Sequence, residues 1–254
     1  MKRRVWVEQV MGMPASLLLR ADSLAGVEDV VAAAYRVFRE ADATFSTYRD
    51  DSEISRLRRG ELARRDVSAD VTEVLALCEQ ARQATDGWFD IELPGGLDPS
   101  GLVKGWAIER ALAVLSRLPD IDICLNVGGD VAVRVHDPAQ PFVAGIQDPH
   151  DGSRLAATVP LSAGGLATSG TYARGLHIVD PHTGAPAAEL ASVSVVGPSL
   201  MWADVYATAA FARGRGGLGW LAGLASYDAL VVHVDGTVET TADWPAGVAE
   251  LRRV

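Results

Sequence analysis

The sequence is poor in cysteine: its 254 residues include only Cys78 and Cys124. Cys78 falls on the apolar side of a helical pattern, and Cys124 lies inside the strand-like run Ile121–Leu125. Both read as packing residues rather than a disulfide or a nucleophile. Long apolar runs are also missing. No stretch approaches the roughly 18 apolar residues needed to span a bilayer, so membrane insertion is not expected. Met1-Lys2-Arg3-Arg4 is basic, as a signal peptide would be, but Val5-Trp6-Val7 runs straight into Glu8 and Gln9 without an apolar core. A soluble, cytoplasmic protein is therefore expected. There is no excess of basic residues: 23 Lys and Arg face 33 Asp and Glu, a net charge of −10. Phosphate-rich polymers and anionic membrane surfaces would be repelled at long range, so no nucleic-acid partner is expected. A small phosphorylated ligand stays compatible, because a local lysine, backbone N–H groups or a metal can override the mean field. No linker, charge block or low-complexity segment divides the chain. We expect one domain over residues 1–254, with room for two intimately packed halves. What is present, 48% hydrophobic and 22% charged residues, is ordinary globular composition.

The order of elements suggests helices early and strands late. Val5–Val10 and Ser16–Arg20 read as a strand pair around Met11-Gly12-Met13-Pro14. Apolar residues at helical spacing cover 27–41, with Glu28 and Asp29 in the first turn. A second helix is predicted from Asp70, with Glu73 completing a capping box and Gly87 as its stop. A third follows Gly101 and ends by Pro119. Beyond Asp120, short β-rich runs alternate with Gly, Pro and Asp turns: Ile121–Leu125, Val131–Val135, Phe142–Gln147, Ala156–Leu161, Leu176–Val179, Ser192–Val196 and Ala229–Val234. Helical pieces interrupt them around Ala203–Ala212 and Leu218–Leu224. The pattern predicts an α+β fold with largely antiparallel sheets and packed helices.

Several segments could carry chemistry. In Asp98-Pro99-Ser100-Gly101-Leu102-Val103-Lys104-Gly105-Trp106, a glycine opens a helix whose unpaired N–H groups and positive end suit an anion, and Lys104 adds a full charge one turn in. Asp98 would repel a bare phosphate and suits a ligand N–H or hydroxyl instead. By itself the segment also describes a capped amphipathic helix with a surface lysine. Asn126-Val127-Gly128-Gly129-Asp130 implies either a plain β-turn or a close backbone approach. Hydroxyls, Arg174 and His177 gather across Ala167–Gly184. His150 and His182 read as exposed turn residues, while His136 and His233 sit in strand-like runs with no partner in view. On a helix, Asp204 and Thr208 stack on one face as hard oxygen ligands suited to Mg²⁺, or as a simple side-chain hydrogen bond.

Taken in order, these segments resemble the ApbE family, flavin transferases that move FMN from FAD onto a protein Thr or Ser. The matching blocks are Met11-Gly12-Met13, Phe45–Tyr48 with Ser52–Ser55, Gly87-Trp88-Phe89-Asp90, Asp98–Gly105, Asn126–Asp130, Gly145–Pro149, Ala167–Tyr172, His177–Gly184 and Ala203–Thr208. The resemblance covers nearly the whole chain and implies a T-fold-like α+β architecture. It implies FAD contacts from Met11, Tyr48, Trp88, Phe89, Asp90, Asp98, Lys104 and Ile178. It implies Mg²⁺ ligands in the Gly101 carbonyl, Asp204 and Thr208, and places His177 near the reacting site. This chain departs from the family pattern after Phe89-Asp90-Ile91, where Glu92–Gly96 leads almost at once to Asp98, which leaves the shape of the adenosine end open. Many members are exported lipoproteins. No lipobox cysteine is present here, so the acceptor should be reachable from the cytoplasm. The expected reaction is attack of an acceptor Thr or Ser hydroxyl on the FMN phosphorus with AMP leaving, Lys104 neutralising charge and His177 acting as general base. Competing expectations are hydrolysis of FAD to FMN and AMP at the same site, and a non-catalytic FAD-binding protein.

Overall fold

The computed structural model describes residues 1–93, 95–172, 175 and 178–245. The chain opens with a hairpin of β1 (Lys2–Val10) and β2 (Met13–Ala21), followed by helices α1 (Glu28–Phe45), α2 (Glu53–Arg58) and α3 (Ala69–Ala84). A short ribbon, β3 (Glu92–Leu93) and β4 (Gly96–Leu97), leads into α4 (Ser100–Leu115). Strands β5 (Asp122–Val127), β6 (Asp130–Arg134), β7 (Phe142–Asp148), β8 (Asp151–Leu161), β9 (Ala163–Gly170) and β10 (Leu190–Gly197) follow. Then come α5 (Leu200–Arg213), α6 (Gly217–Leu221), β11 (Asp228–His233) and β12 (Val238–Thr240). One eight-stranded sheet runs β1-β2-β5-β6-β9-β10-β11-β12, and each of its pairings is antiparallel. The predicted α+β class with antiparallel sheets is what the chain adopts.

Strand side chains alternate between faces, and the two cores follow that alternation. Ala132, Ala167, Val193 and Val231 point to the side covered by α1, α4 and α5. Their neighbours Val133, Leu166, Leu230 and Val232 pack on the other side with Ile146 and Val159 of the β7–β8 ribbon. A buried ion pair joins Arg20 Nε of β2 to Asp122 Oδ2 of β5 at 2.7 Å. These residues are cross-strand partners, and Arg20 also donates to the Gln140 carbonyl and lies against the Phe142 ring. Both cysteines are free; burial pushes the Cys78 thiol up to about 12 and the Cys124 thiol up to about 11, which suits packing roles.

Three sequence expectations need correction. Ser68, not Asp70, caps α3 by accepting from Val71 N. Glu73 accepts instead from Trp106 Nε1 at 3.0 Å, because α3 packs against α4. No strand forms at Val179, which makes only an isolated bridge to Pro186; residues 176 and 177 lie outside the described residues. β9 went unread because Gly164, Gly165 and Gly170 hid the strand pattern. Its glycines are demanded by packing: a Cβ on Gly165 would stand 2.7 Å from Leu200 Cβ, and one on Gly164 2.2 Å from the Gly197 carbonyl oxygen.

The crossing of α4 and α5 positions the site. A Cβ on Gly105 would stand 2.6 Å from Met201 Cα, so only glycine lets the two backbones meet there. Four residues on, Glu109 accepts from Ser199 Oγ at 2.7 Å and Met201 N at 3.1 Å, locking α4 to the start of α5. Gly105→Ala is therefore expected to cost about 1–3 kcal/mol through overpacking. At roughly 2–4 °C per kcal/mol, differential scanning calorimetry would register the drop; an unchanged midpoint would show that the helices part freely.

Candidate functional site

Two tight turns start the site. Met11 (φ 49°) and Gly12 (φ 72°) form the two-residue turn of the β1–β2 hairpin, and Gly128 (φ 60°) and Gly129 (φ 102°) form that of β5–β6. Positive φ at both central positions is the backbone that matches strand twist in such hairpins. The second turn docks on the first: Gly128 N donates to the Pro14 carbonyl at 3.0 Å, and a Cβ on Gly128 would fall 2.5 Å from Met13 Sδ. Met11 is half-buried beside this junction.

Immediately after the second turn, Asp130 begins β6 with its side chain 1% exposed. Its Oδ1 accepts from Thr168 N of β9 at 3.2 Å, and its Oδ2 lies 2.6 Å from Lys104 Nζ. The same ammonium lies 3.4 Å from Asp204 Oδ1, on a side chain 4% exposed. One cation thus stands between two buried carboxylates from β6 and α5. Charge in so dry a setting is tolerated only when paired. Lys104 itself keeps 19% of its surface exposed, so the cluster opens toward solvent on the lysine side.

Thr208 stands one turn beyond Asp204 on α5. Its hydroxyl is within hydrogen-bonding distance of Ser169 Oγ on β9, at 3.0 Å, while the adjacent Thr168 Oγ1 meets Ser194 Oγ at 2.8 Å. The structure therefore brings together Lys104, Asp204 and Thr208 with Asp130 and Ser169. The sequence offered these two only as members of the Asn126–Asp130 and Ala167–Gly184 segments, without a role of their own. Their signals were an acid after two glycines and a hydroxyl among several. The donor chemistry fits a hard divalent cation: a carboxylate and a hydroxyl share a helix face, with Gly101 in the first turn of the adjoining α4.

Other predicted residues sit around this cluster or apart from it. Phe89 is buried, and a Cβ on Gly101 would come 3.2 Å from its ring, so Phe89 supports the start of α4. Asp98 Oδ1 accepts from Ser100 N at 3.0 Å and Asp90 Oδ1 from Glu92 N at 2.8 Å, so each has an oxygen committed to the backbone. Trp88 stands edge-on to His182, with ring centroids 4.5 Å apart, and the Arg213 guanidinium lies 5.6 Å from the Trp88 ring. Ile178 is buried in the helix-side core. Tyr48 is 98% exposed and takes no part in the cluster. His177 lies outside the described residues. His150 and His182 are exposed as expected, whereas His233 has a partner the sequence did not reveal, Glu239 Oε2 at 2.6 Å.

Comparison with known proteins follows the same outline. The sequence profile of the ApbE family matches residues 11–95 and 94–231. An FAD:protein FMN transferase of Haemophilus influenzae is 23% identical over 245 residues, covering 70% of this chain and 71% of its own. The crystal structure of an ApbE protein from Thermotoga maritima superposes with a TM-score of 0.84 at 18% identity, covering 95% of this chain and 98% of that one. The flavin transferase ApbE of Vibrio cholerae gives 0.79 at 20% identity, covering 94% and 96%. At these identities the structural likeness speaks for the fold.

Proposed function

The chain belongs to the ApbE family, and on that premise we propose that it is an FAD:protein FMN transferase, moving FMN from FAD to a Thr or Ser hydroxyl of an acceptor protein. The observation that carries this reading is the Lys104 ammonium held between Asp130 and Asp204, with Thr208 a turn away. In the reaction the acceptor oxygen forms a bond to the FMN phosphorus, the bridging P–O bond of the pyrophosphate breaks, and AMP departs with the bond's electron pair. The hydroxyl proton goes to a general base, for which His177 is our assignment.

Phosphoryl transfer depends mainly on positioning and on stabilising charge at the phosphoryl oxygens. Lys104 meets that requirement with a full positive charge. Asp130 keeps its ammonium aimed at the cluster, because two buried carboxylates leave it little freedom. Asp204, Thr208 and the Gly101 carbonyl would hold Mg²⁺, which supplies Lewis-acid stabilisation of pyrophosphate charge when bound. Met11, Tyr48, Trp88, Asp90, Asp98 and Ile178 would contact FAD, while Phe89 steadies the Gly101 turn from beneath. Nothing in this arrangement requires a membrane or nucleic acid.

Incubating the protein with FAD, Mg²⁺ and a candidate acceptor should give an acceptor heavier by one FMN moiety in intact-mass analysis, with AMP released. Free FMN and AMP without an adduct would instead identify a hydrolase. Unchanged FAD under all conditions would leave only a binding role.

A further inference from the structure

The outer edge of β1 carries charged side chains at Lys2, Arg3, Arg4 and Glu8, but none of the other protections of a sheet edge: it is not short, broken by proline or bulged. Among the described residues its only sheet neighbour is β2. It is nine residues long, without proline, and pairs with β2 in unbroken register from Lys2↔Ala21 to Val10↔Met13. The opposite edge strand, β12, has three residues. Long, flat edges with apolar side chains are sites for adding another strand, and here Val5 and Val7 are 57% and 61% exposed. Both lie on the face away from the helices, since the alternate residues Arg4 and Glu8 reach Glu28 and Arg39 of α1.

We propose that this edge pairs antiparallel with the same edge of a second copy, across a two-fold axis at Trp6, making one continuous sheet through both molecules. The backbone limits the choice of register. Val10 and Met13 flank a two-residue turn and so exchange hydrogen bonds, and the alternation carries this to Glu8, Trp6, Arg4 and Lys2. Arg3, Val5, Val7 and Gln9 therefore point their N–H and C=O groups outward. Only registers that set these residues opposite one another can form a ladder. Centring on Trp6 pairs Val5 with Val7 and Arg3 with Gln9, each twice by symmetry, and uses the whole strand. It also sets Arg4 of each copy across from Glu8 of the other. Opposite charges directly across strands are favourable and like charges are not. Centring on Val5 instead sets Arg4 against Trp6 and keeps a charge match only through Lys2 and Glu8, at the ends of a shortened ladder; centring on Val7 sets Arg4 against Val10, keeps no charge match and is shortened too. Of these registers, the one centred on Trp6 is self-complementary over the whole strand, as an isologous contact requires. This inference is independent of the chemistry assigned to the Lys104 cluster.

Size-exclusion chromatography with light scattering on the full chain, over a concentration series, tests it. The wild type is expected to be a dimer that dissociates on dilution. Val7→Pro removes one outward N–H and leaves the β1–β2 ladder complete, so it should be monomeric with wild-type circular dichroism. Arg4→Glu should weaken dimerisation about tenfold or more by placing two like-charged pairs across the seam. Arg4→Glu combined with Glu8→Arg, Glu28→Arg and Arg39→Glu should restore it, because the pairs across the seam and the contacts of both residues with α1 all re-form with their signs reversed. The single and fourfold charge reversals carry the test if Val7→Pro does not fold. A wild type that is monomeric throughout would overturn the proposal. So would a dimer indifferent to Arg4→Glu, or a fourfold reversal that fails to restore pairing.

Discussion

Replacing Lys104 by Met is expected to cost about 3–5 kcal/mol of stability, the scale for removing one partner from a buried ion pair. The reason lies in what remains: Asp130 and Asp204, with side chains 1% and 4% exposed, would face each other without their shared cation. Met keeps the aliphatic stem, so the loss isolates charge rather than packing. At roughly 2–4 °C per kcal/mol for a chain of this size, the thermal midpoint should fall by about 10 °C. FMN transfer should be lost with it. A second substitution, Asp130→Asn, should return much of the stability, since it removes one of the uncompensated carboxylates, but no activity. If Lys104→Met melts at the wild-type temperature, Lys104 is not what balances those carboxylates, and the electrostatic account of the cluster fails.

Asp204→Ala should divide the two properties differently. Lys104 keeps its 2.6 Å partner Asp130, so the charge balance of the interior survives and the midpoint should move less than in Lys104→Met. Transfer should drop by about 10²–10³-fold or more, the range for removing one preorganised electrostatic contact to the transition state. The remaining rate should no longer rise with Mg²⁺. Measuring FMN transfer across a Mg²⁺ titration decides it: a variant with wild-type turnover and wild-type Mg²⁺ dependence would refute the metal assignment outright. Together the variants separate Lys104, whose loss affects fold and reaction alike, from Asp204, whose loss acts chiefly on the reaction.

Much of this molecule was readable because helices and hairpins announce themselves over short spans. The strand pair around Met11-Gly12, the helix after Gly101 and the helix bearing Asp204 were all anticipated, as was the α+β class. The readings that failed depended on distant neighbours. Glu73 looked like a cap for its own helix, yet it serves the indole of Trp106, 33 residues away. β9 was hidden by glycines whose purpose is visible only once Leu200 and Gly197 lie against them. The Asn126–Asp130 block read as a plain β-turn or a close backbone approach, and nothing in it showed that the Asp130 carboxylate completes the Lys104 cluster.

By itself the sequence determined the local pieces and the family they resemble. The four-residue spacing of Asp204 and Thr208 places them on one face of any helix, because about 3.6 residues make a turn. The tertiary structure decided which pieces share charge. Lys104 reaches Asp130 and Asp204 because Gly105 lets α4 close on Met201 and because the Gly128-Gly129 turn docks beside Met13. These contacts join residues separated by tens of positions along the chain. Spacing fixes distance within a helix turn or a hairpin, but packing alone fixes it between them.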